Sequence, residues 1–184
     1  MLNKSSTVRV FFGIPVPDEL ALDCQKKILK QHPNLKNEVR WTRHGNHHIT
    51  VRFLGNVPEQ KINKLIDATH SEIKNLTPFE VKLRYINLFP TYHGKFGAIT
   101  IEPCTELQTL YDRIDLIATS EGAKPEHRDY MPHITLFRLR NKQSIEMNKI
   151  PLGNNTLKVN GLILYQSILI EGGSLYTPIH KFSL

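Results

Sequence analysis

The stretch HITVRFL, residues 48–54, returns with small changes as HITLFRL at residues 133–139. Both stretches are rich in β-branched and aromatic residues, which favour β-strands. The tripeptide His-Ile-Thr begins each of them and occurs nowhere else in the chain. A repeated strand pattern of this kind indicates duplicated supersecondary units. We therefore predict two similar halves, each carrying one copy.

Side chains alternate between the two faces of a strand, which gives each copy a polar and an apolar face. His48 and Thr50 share one face of the first copy, and His133 and Thr135 share one face of the second. The residues between them are apolar and point the opposite way. Each copy therefore presents an imidazole and a hydroxyl group on its free face. Two such strands facing one another across a cleft would combine these groups into one site.

The rest of the chain alternates strand-like and helix-like runs. Apolar residues at helical spacing predict a helix after Pro17, a helix after Pro58 and a helix over about residues 105–120. Strands are predicted at residues 8–14, 79–87, 98–102 and 159–170, with a short one near Lys181, and Gly172-Gly173 suits a hairpin turn. No flexible linker or low-complexity tract interrupts the chain. The predicted class is α+β, with residues 1–184 forming a single globular domain.

Composition narrows the class of protein further. The chain has 184 residues, 40% of them hydrophobic, and a formal charge of +7, which favours polyanionic partners such as nucleic acid. No apolar run reaches the roughly 18 residues of a membrane-spanning helix, and the N-terminus lacks a secretory signal pattern. Cys24 and Cys104 lie far apart and form no Cys-x-x-Cys motif, so we expect free thiols in a cytoplasmic protein.

The paired His-x-Thr motifs suit a particular chemistry. Two imidazoles that titrate near neutrality can act as general base and general acid in one turnover. Two threonine hydroxyls can donate hydrogen bonds to the non-bridging oxygens of a phosphate. Together they fit in-line displacement at phosphorus without a metal ion, and a strained 2′,3′-cyclic phosphate needs only water as its nucleophile.

Other chemistries have weaker support in the sequence. A metal site could combine His44, His47 and His48 with His93 or His127, because imidazole is the commonest metal ligand. The first three histidines have no acidic residue among them and lack the His-Glu-x-x-His pattern, so we predict no metal. The sequence also lacks a Gly-x-Ser-x-Gly nucleophile motif and the glycine-rich loops that bind nucleoside triphosphates or dinucleotides.

The two motif blocks resemble those of the 2H phosphoesterase superfamily, and more narrowly the RNA 2′,3′-cyclic phosphodiesterases, also called 2′-5′ RNA ligases. The resemblance covers nearly the whole chain. It is carried by residues 9–15, 40–41, 46–55 and 132–138, and near the end by Leu164, Ser167, Gly173 and Tyr176. It implies a bilobal α+β fold in which two antiparallel sheets face each other across a central cleft. The helices would lie on the outer faces, and the pseudo-two-fold duplicated units would carry one motif per lobe.

The resemblance also implies roles for individual residues. The catalytic set would be His48, Thr50, His133 and Thr135. Hydrolysis to a 2′-phosphomonoester would use His133 as the acid and His48 as the base, although near-symmetry makes the reverse equally consistent with the sequence. Phe53 and Arg138 would hold the nucleobase between an aromatic ring and a guanidinium group. Strict alternation places both on the face opposite the histidine, so this role requires a bend or a bulge after each threonine. The alternative is that Phe53 belongs to the core and that Arg138 is a surface residue or contacts a phosphate.

Two alternative functions stay open at this stage. One is 2′-5′ ligation of tRNA halves, in which a ribose 5′-hydroxyl replaces water. The other is a non-catalytic RNA-binding module, based on the basic residues near the motifs: Arg40, Arg43, Arg52, Arg128, Arg138 and Arg140. In either case the expected partners are RNA or nucleotides with 2′,3′-cyclic phosphate ends. We expect no cofactor, membrane or obligatory protein partner, and a monomer.

Overall fold

A computed structural model describes residues 6–91, 93–140 and 145–184. In these ranges the chain forms an antiparallel sheet and four α-helices. The strands are β1 (Thr7–Pro15), β2 (Val39–Trp41), β3 (His48–Pro58), β4 (Phe79–Phe89), β5 (Phe96–Ile101), β6 (His133–Leu139), β7 (Ile150–Pro151), β8 (Thr156–Val159), β9 (Gly161–Ile170) and β10 (Gly173–Ser183). The helices are α1 (Asp18–Gln31), α2 (Leu35–Glu38), α3 (Ile62–Ile73) and α4 (Thr105–Ser120). The α+β class is confirmed.

The strands pair in the order β10-β9-β1-β3-β6-β5-β4-β7, with β2 paired to β6 and β8 paired to β4. All of these pairings are antiparallel. The two motif strands, β3 and β6, are neighbours that share a single residue pair, Ile49 with Ile134. The two predicted antiparallel sheets are therefore joined into one hydrogen-bonded path at this pair.

Each motif strand contains a β-bulge immediately after its threonine. In the β1–β3 pairing, the register moves from Thr50 to Arg52 and leaves Val51 as the extra residue. In the β5–β6 pairing, the register moves from Thr135 to Phe137 and leaves Leu136 as the extra residue. Since an extra residue reverses the alternation of faces, the residues five positions after the motif histidines, Phe53 and Arg138, return to the face of the histidine.

The three predicted helices are present as α1, α3 and α4, and the short helix α2 was not predicted. Asp18 and Glu19 occupy the first turn of α1, where negative charge is favourable, and Ala21, Cys24 and Ile28 form its buried face. Helix α3 follows a 3₁₀ turn after Pro58 and packs on α4, which in turn packs on β3. Cys24 and Cys104 are free thiols, as expected. Within the described ranges, no helix combines the length and hydrophobicity that a membrane crossing requires.

The last strand is longer than the sequence predicts. β10 spans 11 residues rather than a short run near Lys181. It is an edge strand in which only Phe182 is buried, so its local composition lacks the apolar content of a buried strand. Pro178 lies at a register irregularity of its pairing with β9, which is a position that tolerates proline in a sheet. The sequence analysis also missed the short strand β2, which pairs with β6 beside the second motif.

Candidate active site

The two motifs meet in a cleft with a volume of about 400 Å³. Its walls come from the motif strands, from β1, from β2 with the loop that follows it, and from the β9–β10 hairpin. All six residues predicted for the site line this cleft: His48, Thr50, Phe53, His133, Thr135 and Arg138. The other lining residues are Arg9, Phe11, Arg40, Trp41, Thr42, Arg43, Asn46, Ser167, Gly172, Gly173, Ser174 and Tyr176.

His48 is held in one orientation and one tautomer. Its Nδ1 atom lies 2.7 Å from the main-chain carbonyl oxygen of Asn46. Because a carbonyl can only accept, Nδ1 carries the proton, and Nε2 of the neutral ring is left with a lone pair. The hydroxyl of Thr50 lies 3.0 Å from this Nε2 and donates to it. Nε2 of His48 is therefore prepared to accept a proton.

His133 is held in the same way. Its Nδ1 atom donates to the main-chain carbonyl of Met131 across 2.8 Å, which again leaves Nε2 as the atom with the lone pair. The ring stacks on Phe89 with centroids 4.0 Å apart. Each motif histidine is thus fixed through Nδ1 by the carbonyl two residues before it. The two equivalent rings line one cleft and carry the same tautomer.

Burial lowers the pKa of both imidazoles. Desolvation lowers the pKa of His48 to about 4, and the positive charges of His133, His47 and Arg138 add to this effect, while the hydrogen bond to Asn46 opposes it. Desolvation also lowers the pKa of His133, with the hydrogen bond to Met131 opposing it. A bound anion would favour the protonated form of either ring, since an opposite charge nearby raises an imidazole pKa.

Aromatic residues that the sequence analysis missed enclose His48. The ring of Phe11 lies 4.8 Å from the imidazole, and the ring of Tyr176 lies 5.1 Å away at 90° to it. Phe11 belongs to β1 and Tyr176 to β10, far apart in sequence. This shell accounts for the desolvation of His48, because it replaces water around the ring with apolar surface.

Asn46 connects His48 to the β9–β10 hairpin. Its side chain is buried, with 7% of the residue exposed, and its amide nitrogen donates to the carbonyl of Ser174 across 2.8 Å. Its side-chain oxygen accepts from the backbone nitrogen of Tyr176 at 3.3 Å. Since the carbonyl of Asn46 also holds Nδ1 of His48, this residue fixes the histidine relative to the hairpin. The only sequence signal was a polar residue just before the first motif.

Phe53 and Arg138 reach the cleft because of the two bulges. Phe53 is 39% exposed, and the guanidinium group of Arg9 lies over its ring at 4.7 Å from the centroid. The guanidinium group of Arg138 lies over the ring of Phe96 at 5.1 Å. Arg9, Phe53 and Arg138 line the cleft, whereas Phe96 lies behind Arg138 and does not line it. The bulge that the predicted roles require is present in both strands.

The basic residues considered for RNA binding divide into two groups. Arg40, Arg43 and Arg138 line the cleft together with Arg9, and no carboxylate is among the described residues that line it. The remaining three do not line it: Arg52, Arg128 and Arg140. Arg52 is buried and pairs with Asp115 because it follows the bulge on the inward face, and Arg128 pairs with Glu126. These three arginines therefore do not contribute to the wall of the cleft.

The candidate metal ligands do not form a cluster. His47 points away from His48, and its Nδ1 donates to the carboxylate of Asp18 across 2.7 Å. This hydrogen bond is the main reason why the pKa of Asp18 is lowered. His44 lies 3.7 Å from the same carboxylate. In the part of the chain that the structure describes, no group of three or more His, Cys, Asp or Glu side chains could hold a metal ion.

The antiparallel fold and the paired His-x-Thr cleft are those of a 2H-type phosphoesterase. The family model of LigT-like phosphoesterases matches residues 16–97 and 99–176, and the chain belongs to this family. It is similar to two proteins named RNA 2′,3′-cyclic phosphodiesterase. The one from Methanothermobacter thermautotrophicus is 26% identical over 186 residues, covering 96% of this chain and 99% of the relative. The one from Bacillus subtilis is 27% identical over 178 residues, covering 95% of each.

Solved structures show the same fold. Escherichia coli LigT in complex with 3′-AMP superimposes with a TM-score of 0.80 at 24% sequence identity, covering 97% of this chain and 99% of LigT. TT0787 of Thermus thermophilus superimposes with a TM-score of 0.83 at 22% identity, covering 96% of this chain and 97% of TT0787. At these sequence identities the superpositions establish the fold only. The roles of individual residues are inferred from the geometry of the cleft.

Proposed function

We propose that this protein hydrolyses 2′,3′-cyclic phosphate ends of RNA to 2′-phosphomonoesters, without a metal ion, by general acid–base catalysis. The observation that carries this proposal is the matched pair of imidazoles. His48 and His133 line one cleft, each is held through Nδ1 by a main-chain carbonyl, and each belongs to a strand that also brings a threonine into the cleft. The names of the relatives support the same substrate class.

Binding of the cyclic phosphate would use the two threonines. Their hydroxyls can donate to the two non-bridging oxygens, one from each half of the cleft. The hydroxyl of Thr50 rotates from Nε2 of His48 to the phosphate, which frees that nitrogen for a water molecule. The four arginines of the cleft favour the anionic substrate over its neutral analogues.

The reaction balances with the two histidines alone. Nε2 of His48 takes a proton from water, and the water oxygen forms a bond to phosphorus. The bond from phosphorus to the 3′ oxygen breaks, and protonated His133 gives its proton to that oxygen. The products are a 2′-phosphomonoester and a 3′-hydroxyl group. His48 suits the role of base because its lowered pKa keeps it neutral across the physiological range.

The nucleobase would lie between Phe53 and Arg138. An aromatic ring and a guanidinium plane bind any base through its π-face, so this arrangement holds the nucleoside without selecting its identity. Both side chains already lie against partners in their own half, Arg9 and Phe96 respectively. These contacts reduce the conformational freedom that base binding would otherwise remove.

The test is incubation of the purified protein with a nucleoside 2′,3′-cyclic monophosphate in the presence of a strong chelator. The expected product is the 2′-monoester. His48→Ala and His133→Ala should each lower kcat by about 100- to 10,000-fold, as for loss of a general acid or base. His127→Ala, at an exposed position, is the matched control and should keep normal turnover.

Three outcomes would overturn the proposal. Near-normal rates in either active-site variant would exclude the two-histidine mechanism. Binding of RNA with no turnover would identify a binding module instead. On a cyclic-phosphate-ended RNA supplied with a 5′-hydroxyl RNA, a 2′-5′ joined product in excess of the monoester would identify a ligase.

A further inference from the structure

We propose that Arg40 and Arg43 form a subsite for the phosphodiester group on the 5′ side of the reacting nucleotide. The protein would then favour the end of an RNA chain over a free cyclic mononucleotide. This inference rests on the proposed function and names the part of the substrate that the cleft selects. Three features of the described residues support it: a cross-strand pair of like charges, a surplus of positive charge, and an open glycine turn beside the two arginines.

The cross-strand pair consists of Arg40 and Arg138. They are direct partners in the antiparallel pairing of β2 with β6, so their side chains share one face of the sheet. Like charges directly opposite one another destabilise a sheet. Among the residues that the structure describes, no carboxylate forms an ion pair with either of them. An anion bound beside Arg40 would relieve this repulsion.

The positive charge of the cleft exceeds what the reacting group requires. A 2′,3′-cyclic phosphate carries one negative charge, whereas four arginines line the cleft. Arg9 lies on Phe53 and Arg138 lies on Phe96, so both are associated with the proposed base site. Arg40 and Arg43 are exposed and lie outside that site. A second phosphate would supply the matching negative charge.

Arg40 and Arg43 lie beside the β9–β10 turn, where Gly172 and Gly173 place no side chain against their guanidinium groups. Arg43 donates to the carbonyl of Glu171 across 3.3 Å, which holds its guanidinium group against the β9–β10 turn. A Cβ atom at Gly172 would lie 3.5 Å from Nη2 of Arg43, and one at Gly173 would lie 3.9 Å from Cζ of Arg40. Both glycines have positive φ angles, 80° and 146°, which larger residues rarely adopt. The turn therefore keeps side chains away from both guanidinium groups.

The chemistry of the substrate decides which phosphate can reach this position. A 2′,3′-cyclic phosphate is the 3′ end of an RNA chain, so the chain leaves the terminal nucleotide only through its 5′ oxygen. With the reacting phosphorus between the histidines and the base at Phe53 and Arg138, the wall formed by Arg40, Arg43 and the glycine turn remains for the 5′ side. The group bound there is a phosphodiester with one negative charge.

The experiment compares a dinucleotide with a mononucleotide, both ending in a 2′,3′-cyclic phosphate. The readout is the ratio of their kcat/KM values, which cancels any effect on the chemical step. In the wild-type protein we expect the dinucleotide to be preferred. Arg40→Gln and Arg43→Gln should each lower this ratio by about tenfold, the size of one charge-assisted hydrogen bond, while the mononucleotide is still hydrolysed. Arg140→Gln, outside the cleft, should leave the ratio unchanged.

A dinucleotide with an uncharged linkage distinguishes the effect of the phosphodiester charge on kcat/KM from the effect of the additional contact area. A dinucleotide joined by a neutral methylphosphonate should lose the advantage in the wild-type protein and respond little to either substitution. Rising salt should reduce the advantage of the charged dinucleotide, because phosphate contacts weaken with ionic strength. Equal losses on both substrates, or no loss on either, would overturn the subsite. Absence of hydrolysis of any substrate by the wild-type protein would instead overturn the proposed function.

Discussion

The hydroxyl of Tyr130 donates to the main-chain carbonyl of Thr50 across 3.1 Å, which connects the segment before the second motif to the first motif. Thr42 makes the equivalent bond in the other half, where its hydroxyl donates to the carbonyl of Thr135 across 2.9 Å. Both carbonyls immediately precede a bulge, where the regular pairing of the strand is interrupted. The two hydroxyls thus hold the main chain at the bulges that bring Phe53 and Arg138 to the cleft.

Removing the Tyr130 hydroxyl should affect the site more than the fold. Tyr130→Phe keeps the ring stacked on Tyr111 at 4.2 Å but leaves the carbonyl of Thr50 without its donor. We expect a loss of about 1–2 kcal/mol in the free energy of unfolding, measured by urea denaturation. We also expect a lower kcat, because His48 and Thr50 lose a support of their backbone. Tyr111→Phe preserves the bond to Thr50 and is the matched control; an equal kcat in the two variants would contradict this role.

The activity should follow a bell-shaped pH profile displaced toward acid. The acid limb of kcat/KM reports deprotonation of the base, and the pKa of His48 is lowered to about 4. The alkaline limb reports loss of the proton from His133, whose pKa lies below its ordinary value of 6.5 because of burial. The plateau therefore lies above the pKa of His48, about 4, and below the lowered pKa of His133, on the acid side of neutral pH. In kcat the alkaline limb should move upward, because the bound anion favours protonated His133.

The profile has a direct control in the His133 variant. His133→Ala should lose the alkaline limb while its residual rate still rises through the acid limb. A wild-type alkaline limb above pH 7.5 in kcat/KM would contradict the effect of burial on His133.

Substitutions of the proposed base-binding residues should change KM and leave the chemical step largely unchanged. Phe53→Leu removes the aromatic face, and Arg138→Gln removes the guanidinium plane, so each should raise KM for a nucleoside cyclic phosphate by about tenfold, as for loss of one stacking contact. Ribose 2′,3′-cyclic phosphate has no base, and its kcat/KM should change little in either variant. Equal effects on the two substrates would place these side chains at the phosphate instead.

Chelators should leave the activity intact. The described residues hold no cluster of three metal-ligating side chains, and both motif histidines use Nδ1 for main-chain hydrogen bonds. Dialysis against a strong chelator should therefore change kcat by less than about twofold, whereas a zinc enzyme would lose its metal-activated water. Loss of activity that added Zn²⁺ restores would contradict a metal-independent mechanism.

Much of the fold could be predicted from local patterns. Helix α4 spans the predicted residues 105–120, and α3 follows Pro58 as predicted, because their apolar spacing and flanking residues are local signals. The faces of His48 and Thr50 followed from strand alternation. The edge strand β10 was underestimated because its pairing with β9, rather than its own composition, makes it a strand.

The site could be predicted only in part. The motif residues share a short pattern, whereas Asn46 and Tyr130 act through hydrogen bonds to distant segments that no local pattern indicates. For Arg52 the sequence suggested a contact that the structure does not show. Its charge suggested binding to the substrate, but the bulge after Thr50 directs the side chain inward, where it pairs with Asp115. The bulge itself was a condition of the predicted base contacts, and its position depends on pairing with β1.

Because β3 and β6 share a single residue pair, backbone hydrogen bonds constrain the relative position of the two motif strands only weakly. Where two strands share a full ladder, the spacing of their side chains is dictated by the backbone. Here only Ile49 and Ile134 are paired, so the distance between the imidazoles depends on the shared hydrophobic core and on side-chain hydrogen bonds between the halves, such as that of Tyr130. Substitutions of side chains between β3 and β6 can therefore change the distance between the imidazoles, and with it the size of nucleotide that fits, while the strand pairing within each half is kept.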